Sequence, residues 1–397
     1  MNAFEILQER GFVAQHTAGL PELLGREKVV FYAGFDPTAS SLHVGHLLPV
    51  MAAAHLQRAG HKPILVVGGG TAMVGDPTGK DEMRQLLTEV DIEQNKVGIR
   101  EQLGRVIDLS PGSGLMVDNA DWLMGLGYIQ FLRDIGRHFS VNAMLAKASV
   151  KLRMEKEKGL SFIEFNYQIL QAYDFLELFR RFGCVLQVGG DDQWGNITAG
   201  MDLVRRLTGA EAHALTFPLL TTAAGTKMGK TAAGAVWLDA ERLSPYDYFQ
   251  YWVNVDDADV GRLLRFFTFL PMDQIRELDK LQGADIREAK RVLALEATAL
   301  VHGRAEAERA LAGALAAFSG GGAIDAMPQF VTGLPKSILD ILVESGLCKS
   351  RSEARRQIGG GAVRVGDEKV ANEAVVLEQD GAVVWVGRKS AVRVVRG

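Results

Sequence analysis

The chain has 397 residues, 47% of them hydrophobic and 23% charged, with a net charge of −4 and only two cysteines, Cys184 and Cys348. That is enough apolar material for two or three packed domains and too much for a disordered chain. No run of about 18 apolar residues occurs and Met1 to Gly11 is charged, so neither a membrane span nor an export signal is read and the cytoplasm is expected; two cysteines in segments assigned to different domains argue against a disulfide framework or a zinc site built on Cys pairs.

Met1 to Glu27 reads as a short helix and a Gly/Pro-broken connection. Lys28 to Phe35 then reads as a strand of β-branched and aromatic residues, and Val44 to Leu56 as a helix stopping near Gly60. Between them Asp36-Pro37-Thr38 forms an open turn, because proline bars the α region for the residue before it and has no N–H. His43 and His46, three apart, are expected on one face of the first helical turn, where unpaired backbone N–H groups already favour an anion. A zinc pair is disfavoured, since the usual helical signature spaces its histidines four apart around a glutamate. Gly45 between them costs roughly 1 kcal/mol against Ala inside a helix, so a close approach is expected there, such as a flat ring lying on the backbone.

Strand and helix alternate from here: strands at Pro63 to Gly68, Leu115 to Val117 and Cys184 to Val188, helices at Asp91 to Ile107, Phe162 to Arg181 and Asn196 to Leu207. Such alternation predicts a parallel sheet covered on both faces, with ligands at the carboxyl ends of the strands. Helical stretches between Tyr128 and Lys158 are too long for a plain crossover and read as an insertion, about 125–182. Inserted helices often carry a subunit contact; Phe162, Ile163 and Phe165 are expected chiefly as core of this block. Three polar sets stand where apolar residues would be routine. Asp76 follows the Gly68-Gly69-Gly70 turn, Tyr167, Gln171 and Asp174 share one helix face by spacings of four and three, and Gln187, Asp192 and Gln193 flank the strand ending at Gly189. A structural hydrogen-bond cluster would satisfy any one of them; a bound amino acid would satisfy them together, its ammonium group suiting Asp76, Tyr167 and Gln171. Further on, Gly225-Thr226-Lys227-Met228-Gly229-Lys230-Thr231 is a glycine-punctuated loop with two lysines.

Beyond Trp237 the pattern is helical: Tyr246 to Trp252, Gly261 to Phe269, Met272 to Leu281 and one Ala/Glu/Arg-rich stretch from Ile286 to Phe318. The domains expected are therefore 1–240, α/β with a Rossmann-like parallel sheet; 241–318, all-helical; a linker at 319–334; and 335–397, a small α+β domain. From Ser345 to Gly397 ten Lys and Arg stand against six Asp and Glu, a surplus of four that leaves −8 for the rest. A small basic tail on an acidic body suits one dedicated polyanion.

His-x-Gly-His and Lys-Met-Gly-Lys-Thr resemble the two signatures of class I aminoacyl-tRNA synthetases. The flanking Tyr-x-Gly-Phe-Asp-Pro-Thr and Gly-Gly-Asp-Asp-Gln-Trp-Gly-Asn are similar to bacterial tyrosyl-tRNA synthetases over nearly the whole chain. The resemblance implies that ATP activates L-tyrosine and that the tyrosyl group passes to tRNA(Tyr). Catalytic roles fall to His43, His46, Lys227, Lys230, Thr231 and Thr38, with Lys80 and Arg84 reaching pyrophosphate. The tyrosine site comprises Tyr32, Asp76, Tyr167, Gln171, Asp174, Gln187 and Gln193, with Tyr32 and Asp174 on the phenol hydroxyl. ATP is held by Gly34, Asp36, His43, Gly45, His46, Gly190, Asp192, Lys227, Met228 and Lys230, and its Mg2+ comes with the nucleotide, no metal site being visible. Ser350 to Gln357 and the short strands after it resemble an S4 RNA-binding domain, which implicates Arg351, Arg355 and Arg356, and a homodimer is implied. Ala33, Ser40, Pro49 and Asp191 depart from the family pattern. The rivals are a tryptophanyl enzyme, against which Tyr32 and Asp174 argue, a nucleotidyltransferase acting on another acid, and a non-enzymatic RNA-binding protein.

Overall fold

The computed structural model describes the chain apart from residues 78–86, 148–149, 152–153, 155–160, 232–233, 320–328, 367 and 388–389, and at 230–231, 316–319 and 390 it describes backbone alone. The chain divides into two compact units, Met1–Leu243 with Asn254–Leu293, and Ser244–Val253 with Ala294–Gly397.

The first unit is built on a six-stranded sheet: β1 (Gln15–His16), β2 (Val30–Phe35), β3 (Lys62–Val67), β4 (Leu115–Asp118), β5 (Cys184–Gly190) and β6 (His213–Phe217), in the order β1-β6-β5-β2-β3-β4. Every pairing is parallel except that of β1, which runs antiparallel to β6 along one edge. Two exposed residues are too few to show alternation, so β1 leaves no sequence pattern. The inner strands are nearly continuous apolar runs because helices cover both faces; β3 is buried from Pro63 to Val67. Register sets the site. Phe35 pairs with Val67 and Val67 with Asp118, so Asp36, Gly68 and Asn119 leave the sheet side by side at its carboxyl edge.

The helices Val44–Arg58, Glu89–Gly104, Phe162–Phe182 and Trp194–Thr208 flank this sheet. Phe162–Phe182 starts in a capping box, Ser161 and Glu164 each bonding the other's backbone N–H, and stops at Gly183 in the left-handed region. Its buried face sends Phe175, Leu176 and Leu178 into a core with Tyr32, Ile64 and Cys184. The insertion contains Tyr128–Asp134, Gly136–His138 and Val141–Leu145. The expectation that Phe162 and Ile163 are core fails: they are 70% and 41% exposed, while Phe165 packs partly against the core. In the same first turn Glu164 is only 4% exposed, so these two occupy the uncovered side of the helix.

In the second unit Pro245–Val253 packs with Arg304–Ser319. The single stretch read from Ile286 to Phe318 is two helices, Ile286–His302 and Arg304–Ser319, broken where Gly303 takes φ +88°. The unit boundary falls within the first of them. The C-terminal part packs the helices Ile338–Glu344 and Arg351–Gly359 on a five-stranded sheet ordered Glu368–Lys369, Val363–Val365, Val383–Val386, Ser390–Arg396, Gln329–Thr332. Ile338, Ile341, Leu342, Ala354, Val363, Val384 and Val394 are its fully buried core. The linker expected at 319–334 is therefore shorter at its far end, because Gln329–Thr332 pairs in parallel with Ser390–Arg396. A strand supplied from before the domain's helices has no local partner, and periodicity over four residues does not reveal it. Both cysteines are buried and unpaired. Among the described residues no helix is long and apolar enough to cross a membrane, and no cluster of His, Cys, Asp and Glu is placed to hold a metal ion.

Candidate active site

All seven residues expected around the amino acid line one cavity of about 220 Å3 at the carboxyl edge of the sheet, together with Gly34, Asp36, Thr38, His46 and Gly190. At its floor lies Asp174, 4% exposed. Its Oδ1 accepts from Trp122 Nε1 at 2.7 Å and its Oδ2 from Asn119 Nδ2 at 2.9 Å. Burial raises its carboxyl to about 7, against the pull of these two donors. Tyr32, 2% exposed, stands nearby; burial, then the Asp174 charge, push its phenol well above the usual range. The Tyr32 hydroxyl and the amide oxygens of Gln171 and Gln187 are buried with no hydrogen-bond partner among the described residues. A buried, unsatisfied polar atom costs about 1–3 kcal/mol, so three of them around one cavity point to a polar occupant.

The cavity's other wall is held by carboxylates already engaged. Asp36 Oδ1 accepts from Thr71 Oγ1 at 2.8 Å and Oδ2 from Tyr167 at 2.9 Å. Asp76 Oδ2 accepts from Gln193 Nε2 at 2.8 Å, and Gln193 Oε1 from Asn196 at 3.1 Å. Burial, then the Asp36 and Asp76 charges, raise the Tyr167 phenol. Sequence reading missed Asn119, Trp122 and Thr71. Asn119 joins three parts of the site: its Oδ1 accepts from Gly70 N at 2.8 Å while its Nδ2 serves both Thr71 Oγ1 at 3.0 Å and Asp174. The signal for it was present, since it is the first residue after β4, as Asp36 is after β2. Trp122, three residues later on a helical turn, carried none.

The second cluster lies at the start of Val44–Arg58. His43 is its N-cap, with φ −128° and ψ 171°. Its Nδ1 accepts from Gly45 N at 3.0 Å, and His46 Nδ1 accepts from His43 N at 3.2 Å. The rings lie 4.0 Å apart at 35°. An accepting Nδ1 places each ring proton on Nε2. This corrects the expectation that bare helix N–H groups receive an anion there: Val44 N donates to Val236 O at 3.0 Å and His46 N to His43 O at 2.8 Å, so these amides are already taken, while the His46 ring borders the cavity. Gly45 answers to those rings as well, because a Cβ would meet His43 Cε1 at 2.8 Å.

The lysine loop is fastened to this point. Gly229, at φ +89°, would place a Cβ 3.1 Å from Gly45 N, and Val236 N donates to Gly229 O at 2.9 Å. Met228 N donates to Leu220 O at 2.9 Å, and Lys227 pairs by backbone with Thr221 and is exposed. Lys230–Thr231 pairs as a strand with Gly234–Ala235. Asp192 faces this loop: desolvation, then Asp76, raise its carboxyl, while Lys227 pulls it down. Lys80 and Arg84 lie outside the described residues. Of the departures from the family pattern, Asp191 braces the sheet, its Oδ1 accepting from Gln15 at 2.7 Å and Thr216 at 2.8 Å, and Ser40 accepts from Arg242 at 3.3 Å. Pro49 and Ala33 line the cavity. In the second unit Arg351 pairs with Asp340, Arg355 with Glu373 at 2.6 Å and Arg356 with Glu353 at 3.9 Å.

A parallel sheet with a histidine-capped helix after β2 and a lysine loop after β6, both at its carboxyl edge, defines the nucleotide-activating core of a class I aminoacyl-tRNA synthetase. A family model described as "tRNA synthetases class I (W and Y)" matches residues 25–319, and one described as "Tyrosine--tRNA ligase SYY-like C-terminal domain" matches 321–384. The chain belongs to the tyrosine–tRNA ligase family. It is 51% identical to the tyrosine–tRNA ligase of Clostridium botulinum strain Loch Maree over 99% of each chain. It is 50% identical to that of Caldanaerobacter subterraneus over 96% of this chain and 94% of the relative. Among solved structures, a C-terminally truncated mitochondrial tyrosyl-tRNA synthetase of Aspergillus nidulans superposes with a TM-score of 0.71 at 32% identity, covering 79% of this chain and 93% of that one. The tyrosyl-tRNA synthetase of Archaeoglobus fulgidus, at 17% identity and TM-score 0.58 over 78% of this chain and all of that one, shares the fold.

Proposed function

We infer that this protein activates L-tyrosine with ATP and transfers the tyrosyl group to the 3′ end of tRNA(Tyr), releasing AMP and pyrophosphate. The observation that carries this is the floor of the cavity, where the unsatisfied Tyr32 hydroxyl and the Asp174 carboxylate stand ready for a phenol that both donates and accepts. In this reading Asp76, Tyr167 and Gln171 take the ammonium group, and Gln187 and Gln193 the rest of the amino-acid frame. Gly34, Asp36, Gly45, Gly190 and Met228 border the nucleotide, and Asp192 accepts from the ribose hydroxyls.

The tyrosine carboxylate attacks the α-phosphorus and pyrophosphate leaves. The nucleophile arrives with the substrate, so position and charge stabilisation matter more than a general base. His43 and His46 present Nε2–H groups to the transferring phosphates, and Lys227, Lys230, Thr231 and Thr38, with Lys80 and Arg84, stabilise the departing pyrophosphate. Mg2+ arrives on the nucleotide as part of the substrate. The terminal adenosine hydroxyl of the tRNA then attacks the adenylate carbonyl, and AMP leaves. Residues 1–240, with the insertion at about 125–182, perform the activation; 241–318 serve the anticodon side and 335–397 form an S4-like RNA-binding domain, with Arg351, Arg355 and Arg356 on its helix. Exposed Ile129, Val141 and Phe162, 74%, 58% and 70% accessible, support a homodimer through the insertion, and likeness to bacterial relatives supports a cytoplasmic location.

ATP–pyrophosphate exchange with each amino acid in turn tests the reading. Exchange with tyrosine alone, followed by charging of tRNA(Tyr), is expected; exchange led by tryptophan, or none with any amino acid, would overturn it.

A further inference from the structure

The five-stranded C-terminal sheet has two unlike faces. One carries Val363, Val384, Val392 and Val394 into the core beneath the helices. On the other, Val383 and Ala391 form a small separate cluster under Trp385. The register sets a row across that second face: Lys369 opposite Arg364, Arg364 opposite Trp385, and Trp385 opposite Ala391. Arg393, opposite Val383, stands in the next row. The Arg364 guanidinium lies 5.5 Å from the Trp385 ring centroid. The strand residues whose pleat shares this face thus include three bases and no carboxylate. Arg364 and Lys369 make no ion pair among the described residues, whereas Arg351, Arg355 and Arg356 on the helix are each matched to an acid. A half-buried indole with one guanidinium beside it and two further basic residues on the same face is matched by a chain of phosphates carrying an unpaired base, since every base has a face to stack and every phosphate a charge to neutralise.

Resting on the reading that the chain charges a tRNA, we propose that this sheet face, centred on Trp385 with Arg364 and Lys369, is a tRNA-binding surface separate from the arginine-bearing helix. Trp385 stacks on an unpaired nucleotide, and Arg364 and Lys369 contact the flanking phosphates.

The test is binding of tRNA(Tyr) to the full-length protein over a range of salt, alongside tyrosine-dependent pyrophosphate exchange. Trp385→Leu is expected to weaken binding about 5- to 150-fold, the range of one base–aromatic stack, with exchange unchanged. Trp385→Phe, which keeps both ring and packing, is expected to bind within about 3-fold of wild type. The double change Arg364→Gln with Lys369→Gln is expected to reduce the slope of log affinity against log salt by about 1.4 to 1.8, two phosphates' worth. Wild-type affinity and slope in all three variants would overturn the surface, as would equal losses for Phe and Leu, which would assign Trp385 to packing. Either result leaves charging by the wild-type protein intact; absent charging there would instead overturn the functional reading.

Discussion

Asp174 shows how one side chain can be held in two minds by its surroundings. Burial opposes its charge while Asn119 and Trp122 stabilise it, and the balance lifts its carboxyl from the ordinary 3.8 to about 7. The folded state therefore binds this proton more tightly than the unfolded chain does. Its contribution to stability is fully present below pH about 4 and is lost as pH rises through about 7, at most about 4 kcal/mol. Asp174→Asn should thus flatten the pH dependence of the urea midpoint between pH 4 and 8, and a variant as pH-sensitive as wild type would remove Asp174 as the cause. The same change should lower kcat/KM for tyrosine in pyrophosphate exchange by roughly 10- to 150-fold, the worth of a hydrogen bond to a charged acceptor. His46→Ala should instead slow adenylate formation by about 10²- to 10³-fold with tyrosine affinity retained. Tyrosine binding that weakened in step with the rate, measured by equilibrium dialysis, would mean that His46 shapes the cavity instead.

At the scale of the element, the start of Val44–Arg58 is unusual because the residues expected to act on a ligand also cap the helix. His43 takes the Gly45 N–H and His46 takes the His43 N–H, which fixes both tautomers before any nucleotide arrives. Gly45 makes room for this, and Gly229 brings the lysine loop onto the same backbone. Gly45→Ala should consequently separate stability from activity. Alanine favours the helix by roughly 1 kcal/mol, while its methyl group displaces the His43 ring. Thermal unfolding is expected close to the wild-type midpoint, because the propensity gain and the lost His43 cap, each about 1 kcal/mol, oppose one another, with adenylate formation slowed about 100-fold, as for a lost transition-state donor. A variant that keeps full rate would show that the ring position is immaterial.

For the whole molecule, every described residue placed at the amino-acid and nucleotide sites belongs to the first unit, and the C-terminal sheet closes its own core with Gln329–Thr332. A chain ending at Ser319, where the synthetase family model also ends, should form tyrosyl-adenylate, whereas one cut near Phe330 would keep part of a strand torn from its sheet. In the shorter chain tRNA charging should fall sharply and residual tRNA affinity should depend less on salt, because the surplus of four positive charges after Ser345 is gone. Charging and exchange measured on one preparation decide this; charging at full rate would mean the C-terminal residues are not needed for tRNA.

Local chemistry was enough to mark the turn after β2, the paired histidines, the lysine loop and the polar stripe Tyr167, Gln171 and Asp174, because each breaks an apolar or helical pattern within a few residues. The same reasoning found the parallel sheet from its alternation of strand and helix. What it could not supply were relations between distant segments. Asn119 and Trp122 matter through contacts with Asp174, 55 and 52 residues away. β1 and Gln329–Thr332 are strands only because partners some 200 and 64 residues distant complete their ladders. Phe162 and Ile163 read as core, since composition records that a side chain is apolar but not which side of a helix turn is covered, and there Glu164 is the buried residue. Periodicity is a property of neighbours along the chain; register, capping by a ring and the two faces of the C-terminal sheet arise from packing, and only the tertiary structure decided them.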